Sequence, residues 1–200
     1  LLGHATPASR DVDEWLSVRI GRPVKLMWQE WPTERSIAAE DGGLPGDSLS
    51  FADASPLHLV TESSMRQLND WIAADADVPD VPDIDPADLS DNDGVAGKSA
   101  VATGAHALDI VRFRPNVIVD GGEPFAEDRW SRIHIGGVEF RRTEFCGRCV
   151  MPTIEPTTLA GGKEPIRTLA RHRRWDGETW FGIRLAPVGL ESQNPPTIQV

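Results

Sequence analysis

Apolar positions spaced three and four residues apart predict two amphipathic helices in the N-terminal part of the chain. The apolar face of the first helix is formed by Val12, Trp15, Leu16 and Ile20. Asp11 is predicted to cap this helix and Gly21 to end it. The apolar face of the second helix is formed by Met65, Leu68, Trp71 and Ile72. Ser64 and Gln67 match a capping box at its start.

Short apolar runs separated by turn residues predict strands along the rest of the chain. These runs cover residues 24–28, 57–60, 117–119, 133–135, 138–145 and 180–185. The run at 117–119 is predicted to be buried, and the basic segment 168–175 is predicted to be helical. Gly136-Gly137 and Asp176-Gly177 are hairpin turn signals. Many short strands with few helices predict a mainly β fold, a distorted β-barrel with a few peripheral helices.

The charge of the chain excludes one class of partner. The net charge is −11, from 31 acidic and 20 basic residues, which argues against a nucleic-acid surface. Acidic residues and prolines concentrate in residues 75–99, where we predict a mobile loop.

No apolar run approaches the roughly 18 residues of a membrane span, so no membrane span is predicted. Two cysteines are too few for a secreted disulfide scaffold and favour the reducing cytoplasm.

Both cysteines lie in the motif Cys146-Gly147-Arg148-Cys149, for which several interpretations compete. A structural zinc site needs four ligands, and the histidines of this chain are scattered. A redox dithiol needs a helix after the first cysteine, and Pro152 and Pro156 oppose a regular one. A single thiolate, favoured by the adjacent Arg148, suits a soft ligand for molybdenum. Two structural cysteines remain an alternative on spacing alone.

A candidate anion site lies where the strand at 57–60 leads into the second helix. The first turn is rich in hydroxyl side chains, at Thr61, Ser63 and Ser64. Free N–H groups point outward at a helix N-terminus and attract anions. An ordinary capped helix explains the same residues.

Several motifs, taken together and in order, resemble one known family. They include FADASPL at 51–57, TESS at 61–64, RFRPNVIV at 112–119, PFAEDRW at 124–130 and CGRC at 146–149. As a set they resemble the MOSC family, and within it the branch of the mitochondrial amidoxime-reducing component and its bacterial counterparts. The resemblance covers about three-quarters of the chain.

This resemblance implies a β-barrel-like domain that carries a molybdenum–molybdopterin cofactor. It assigns Cys149 as the metal ligand and a catalytic residue. The residues that it places around the cofactor are Thr61, Ser63, Ser64, Arg114, Asn116, Gly147 and Arg148. Asp128 is a candidate for positioning substrate or transferring protons, with a helix cap or a structural salt bridge as the alternatives. Residues 51–200 are expected to form the family domain, with the loop 75–99 inserted. Residues 1–50 are expected to connect it to an N-terminal β-domain that this sequence lacks.

The activity that the resemblance implies is reduction of small N-hydroxylated compounds, such as amidoximes and hydroxylamines. Electrons are expected from a partner reductase of flavin, haem or iron–sulfur type. Four arginines are candidates for docking that partner, with a solvated helix face as the alternative: Arg167, Arg171, Arg173 and Arg174. The alternative is a cofactor-binding or sulfur-carrier module, related to the C-terminal domain of molybdenum cofactor sulfurases and not itself catalytic.

Overall fold

The computed structural model describes residues 5–28, 35–49, 52, 54–77 and 107–189. The chain divides into two compact units, Leu1–Pro56 and Leu57–Val200. Nearly all of the predicted acidic loop lies outside the described residues. In the described part of the chain, no helix is long and apolar enough to cross a membrane.

The described residues of the first unit form one helix and a two-stranded ribbon. Helix α1 covers Arg10–Ile20, and strand β1 (Thr6–Pro7) pairs antiparallel with β2 (Met27–Trp28). The predicted cap was wrong: Ser9, not Asp11, accepts the hydrogen bond from the Val12 N–H. Gly21 ends the helix in the left-handed conformation, as predicted, with φ 75°.

The strand predicted at 24–28 is shorter than expected, because side chains of α1 bind the backbone that precedes β2. The Ser17 hydroxyl accepts from the Val24 N–H at 3.0 Å. The Asp13 carboxylate accepts from the Leu26 N–H at 2.7 Å. These backbone groups are therefore not available to a β-ladder, and pairing begins only at Met27.

The second unit is built on one curled, half-barrel sheet, which confirms the mainly β prediction. Its strands are β3 (Leu57–Thr61), β4 (Val117–Val119), β5 (Arg132–Ile135), β6 (Val138–Gly147), β7 (Arg174–Trp175) and β8 (Glu178–Pro187). The order is β4-β3-β8-β6-β5, and β7 pairs with β8. Only β3 and β4 run parallel; the other pairs are antiparallel.

Helix α2 covers Glu62–Ala74 and starts directly after β3. The capping box predicted at Ser64 and Gln67 was wrong, because Thr61 is the cap and its hydroxyl accepts from the Ser64 N–H. The predicted apolar face is confirmed, with Met65, Leu68 and Ile72 buried.

Helix α3 covers Ile166–His172, so the helix predicted at 168–175 was wrong in its second half. Arg174 and Trp175 instead form β7, because the turn that follows folds them back onto β8. Asp176 and Gly177 both adopt positive φ, at 53° and 82°, as a tight hairpin turn requires.

The core of this unit lies on both faces of the sheet. Leu59 and Val60 are neighbours on β3 and so face opposite sides, and each belongs to a different apolar cluster. Val60 packs with residues of α2 and α3, and Leu59 packs with residues of β6 and β8. The prediction that 117–119 is buried was wrong. Ile118 is 48% exposed, because β4 is an edge strand.

Gly182 on β8 allows two strands to approach closely beside the cysteine motif. Its φ is 78°. A Cβ there would lie 2.6 Å from His58 Nε2 and 2.6 Å from the Leu59 carbonyl oxygen. Only glycine fits this position, and the resulting approach places the His58 ring against the end of the sheet that carries the cysteines.

Candidate functional site

Cys149 is an exposed free thiol just beyond the end of β6. The Arg148 N–H donates to the Thr179 carbonyl at 2.8 Å and holds the preceding residue to β8. A 3-10 helix, Met151–Thr153, follows, and Pro152 is one of its three residues. This confirms that no regular helix follows the motif, so no helix dipole supports a redox dithiol here.

The side chain of Arg148 is bound inside the chain, by Cys146, His58 and Phe113. One guanidinium nitrogen donates to Cys146 Sγ at 3.0 Å and lies 3.3 Å from His58 Nε2. The other donates to the Phe113 carbonyl at 3.4 Å, and the guanidinium lies 5.2 Å from the centre of the Phe113 ring. Arg148 Nε is buried and has no hydrogen-bond partner among the residues that the structure describes. Arg148 therefore joins three segments of the chain behind Cys149.

Cys146 is buried at the centre of this cationic cluster. Burial by itself raises the pKa of the thiol. The hydrogen bond from His58 and the charges of Arg148, His58 and Arg184 outweigh burial and lower the pKa from 9.0 to about 6. Arg184 lies opposite His58 in the strand register and also pairs with Glu144 at 2.7 Å. Sequence reasoning missed His58 and Arg184, because cross-strand register brings them together.

The lowered pKa of Cys146 predicts a pH-dependent stability. Its folded value lies below its unfolded value, so the folded chain binds fewer protons between pH 6 and 9. The contribution of Cys146 is therefore full above pH 9 and is lost as pH falls through about 6. We expect the unfolding free energy of wild type minus that of Cys146→Ser to rise steadily from pH 6 to 9. Urea unfolding of both proteins under reducing conditions measures it, and a difference independent of pH contradicts the ion pair.

Thr61, Ser63 and Ser64 lie together at the start of α2, in a network around the fully buried Glu127. The Ser64 hydroxyl donates to the Glu127 carboxyl at 2.7 Å, and the Thr61 hydroxyl donates to it at 3.1 Å. Ser64 Oγ also accepts from the Phe125 N–H at 2.7 Å. The Thr61 and Ser64 hydroxyls, two of the three predicted to bind an anion, are thus engaged by a carboxyl of the chain itself. The Ser63 hydroxyl lies 3.1 Å from Thr61 Oγ1 and makes no hydrogen bond to Glu127 among the described residues. Sequence reasoning missed Glu127, since alternation and spacing do not mark an acidic residue as buried.

Asn116 and Arg114 lie on the segment that leads into β4. Asn116 Oδ1 accepts from the His58 N–H at 2.8 Å, and its own N–H donates to the His58 carbonyl at 2.9 Å. Asn116 therefore fixes the strand residue whose ring lies beside Arg148. Arg114 is exposed and has a left-handed backbone, with φ 52°. A Cβ at Gly147 would lie 3.4 Å from Glu178 Oε2, an ordinary contact.

Asp128 forms a salt bridge, which was one of the alternatives predicted from the sequence. Its two carboxylate oxygens pair with Arg173 at 2.7 and 3.0 Å, and both side chains are mostly buried. The Arg173 guanidinium also lies 4.2 Å from the centre of the Phe125 ring. A catalytic role for Asp128 stays a prediction.

The basic run on and after α3 is largely neutralised within the chain. Arg167 pairs with Glu164 at 2.6 Å, and Arg171 pairs with Asp75 at 3.5 Å. Together with the Arg173–Asp128 pair, these contacts leave Arg174 as the exposed member with no ion pair among the described residues. The run is therefore poorly suited to dock an acidic partner.

The side chains available at this site suit a metal that is already coordinated by a cofactor and needs only one more ligand from the protein. Within the described residues, no group of three or more His, Cys, Asp or Glu side chains could hold a metal ion. Cys149 is the accessible soft donor, and the unpaired Nε of the neighbouring Arg148 is a hydrogen-bond donor suited to an anionic group. One thiolate beside a cation fits a pterin-bound molybdenum, whose cofactor supplies further sulfur ligands.

Comparison with known proteins decides the family. A family model described as the MOSC domain matches residues 46–200. The chain belongs to the MOSC domain family. This MOSC domain has curated relatives of two kinds, which confirms the resemblance read from the motifs.

The first kind is represented by a molybdenum cofactor sulfurase of Solanum lycopersicum, 32% identical over 91% of this chain and 21% of the relative. The second is represented by mitochondrial amidoxime-reducing component 1 of Danio rerio, 30% identical over 82% of this chain and 42% of the relative. The human component 1 is 29% identical over 66% of this chain. The chain thus spans about a fifth of the sulfurase and about two fifths of the amidoxime-reducing component, and identity does not separate the two kinds.

Proposed function

We propose that this MOSC domain binds a molybdenum–molybdopterin cofactor through Cys149 and reduces N-hydroxylated compounds such as amidoximes and hydroxylamines. The observation that carries the proposal is the position of Cys149, an exposed free thiol with a buried cationic cluster behind it. When bound, the cofactor supplies a metal that exchanges electrons and accepts an oxygen atom. Each turnover takes two electrons and two protons and releases the amine or amidine and one water.

The residues around Cys149 have distinct roles in this proposal. Arg148 is held by Cys146, His58 and Phe113, so it fixes the turn that carries the ligand. Asn116 holds His58 in register, and Gly147 is the last residue of β6 and pairs with Trp180 of β8. The exposed cation of Arg114 offsets the negative charge of the cofactor.

The phosphate end of the cofactor is assigned to the start of α2. Thr61, Ser63 and Ser64 lie there, where a helix N-terminus favours anions. Because Glu127 engages the hydroxyls of Thr61 and Ser64, we assign the phosphate contact to backbone N–H groups of this turn. Glu127 then acts as the support that keeps the turn in place.

Electrons come, in this proposal, from a partner reductase of flavin, haem or iron–sulfur type. The pairing of Arg167, Arg171 and Arg173 within the chain favours a docking surface other than α3. We place the reaction in the cytoplasm, on the ground that both cysteines are free thiols.

A second candidate function is a cofactor-binding or sulfur-carrier module that is not itself catalytic. The observation that favours it is the similarity to molybdenum cofactor sulfurases, at 32% identity over 91% of this chain. Both candidates use Cys149, but only the first requires turnover.

Turnover with an artificial electron donor separates the two candidates. The full-length protein, loaded in a molybdenum-replete host, is mixed with dithionite-reduced methyl viologen and either hydroxylamine or benzamidoxime. We expect substrate-dependent oxidation of the dye by wild type and at least about a hundredfold loss in Cys149→Ser, since even residues outside the ligand set cost 10- to 100-fold. A loaded wild type that oxidises no dye contradicts the reductase proposal and favours the carrier.

A further inference from the structure

Two exposed apolar residues follow the proposed ligand directly. Cys149, Val150 and Met151 are consecutive exposed residues, and Val150 and Met151 are 48% and 51% exposed. Isolated exposed apolar residues are ordinary in proteins, but here two of them adjoin an accessible thiol. All three residues are therefore accessible from solvent on one short segment.

The turn that carries these residues is fixed rather than loose. The Val150 carbonyl accepts from the Thr153 N–H at 2.9 Å and from the Thr153 hydroxyl at 2.7 Å. Pro152 and Thr153 are buried on the inner side of the turn. Val150 and Met151 are therefore presented outward on a turn whose inner side is anchored.

A third exposed apolar residue comes from a segment packed against this turn. The 3-10 helix Ile110–Phe113 contacts the 3-10 helix Met151–Thr153, and Arg112 of the first donates to the Pro152 carbonyl of the second at 3.4 Å. Val111 of the first helix is 52% exposed. We call Val111, Val150 and Met151 the apolar patch.

We propose that the apolar patch binds the apolar or aromatic substituent of the substrate and so selects aryl-substituted N-hydroxylated compounds over hydroxylamine itself. The inference rests on the proposed function, because it assumes that reduction occurs at Cys149. Small-molecule sites are lined mostly by apolar side chains with a few polar groups that fix orientation. The patch supplies an apolar lining next to Cys149.

The size of the patch favours a small substituent over a protein. Three half-exposed side chains offer on the order of 200 Å², whereas a stable protein interface buries roughly 800 Å² on each partner. A single aromatic ring can be covered by a thioether and two branched aliphatic side chains, and sulfur–aromatic contacts add to that attraction. Replacement of Met151 is therefore expected to weaken binding of the aromatic ring more than replacement of either valine.

The kinetic test compares two substrates in three holoenzymes: wild type, Met151→Ser and the matched control Ile118→Ser. Ile118 is 48% exposed and lies on the edge strand β4. With reduced methyl viologen as donor, we expect the ratio of kcat/KM for benzamidoxime to that for hydroxylamine to fall by about three- to tenfold in Met151→Ser. The ratio should stay at the wild-type value in Ile118→Ser. An unchanged ratio in Met151→Ser, or an equal fall in Ile118→Ser, overturns the inference.

A binding test that needs no turnover distinguishes failure of the aryl-binding proposal from failure of the proposed reductase function. The chain has three methionines, Met27, Met65 and Met151. Benzamidoxime added to the methyl-labelled protein should shift the Met151 methyl signal and leave those of the half-exposed Met27 and the buried Met65 in place. No shift at Met151, or an equal one at Met27, overturns the inference. If loaded wild type reduces neither substrate, the proposed function fails, and the Met151 shift alone decides whether the patch binds aryl groups.

Discussion

Replacing Glu127 with alanine is expected to lower the unfolding free energy by about 3 kcal/mol or more. The carboxyl group is fully buried and accepts hydrogen bonds from the hydroxyls of Thr61 and Ser64. Its removal leaves two buried donors without that acceptor, each costing about 1–3 kcal/mol, and leaves a cavity as well. The loss should appear as a lower urea midpoint with an unchanged slope.

Two further variants isolate the cause of that loss. Glu127→Gln keeps the shape and one acceptor oxygen, so it should lose about 1 kcal/mol, clearly less than alanine. Glu123→Ala is the matched control, because Glu123 is exposed and only its backbone carbonyl contacts Ser63. It should stay within about 0.5 kcal/mol of wild type. A Glu127→Ala variant as stable as the Glu123→Ala control would contradict a stabilising network around Glu127.

The fold class and the main elements of the second unit could be predicted from apolar spacing and turn residues. The helix face at Met65, Leu68 and Ile72 and the strand at Val117–Val119 followed from local pattern. The ends of helices and strands were harder to predict from the sequence, because they depend on which side chain bonds to a free backbone N–H or carbonyl group. Thr61 rather than Ser64 caps α2 since the strand leads straight into the helix.

The site could be predicted only in part. The family resemblance, and not the spacing of the motif, assigned the ligand to Cys149, which the structure shows as an exposed free thiol. Pro152 correctly argued against a regular helix after it. His58 and Arg184 could not be found, because they meet Cys146 through register across β3, β8 and β6. Glu127 is distant in sequence from Thr61 and Ser64, so only the folded chain shows that they bind one another.

Cys149→Ser is expected to abolish molybdenum binding almost completely, the largest effect predicted for this protein. Serine keeps the size of the side chain but replaces a soft sulfur donor, which ionises readily, with a hard hydroxyl that does not. No group of three or more His, Cys, Asp or Glu side chains among the described residues could hold the metal instead. Cys146→Ser is the matched control, because it removes the other cysteine, which is buried and bonded to Arg148.

The most direct test of the central claim is metal and pterin analysis of the full-length protein from a molybdenum-replete host. Wild type, Cys149→Ser and Cys146→Ser are purified side by side, and their molybdenum and pterin contents are measured per chain. We predict near-stoichiometric molybdenum and pterin in wild type, retention of most of it in Cys146→Ser, and loss of the metal in Cys149→Ser. A wild type free of molybdenum or filled with zinc, or a Cys149→Ser variant as fully loaded as wild type, would contradict the assignment of Cys149 as the ligand.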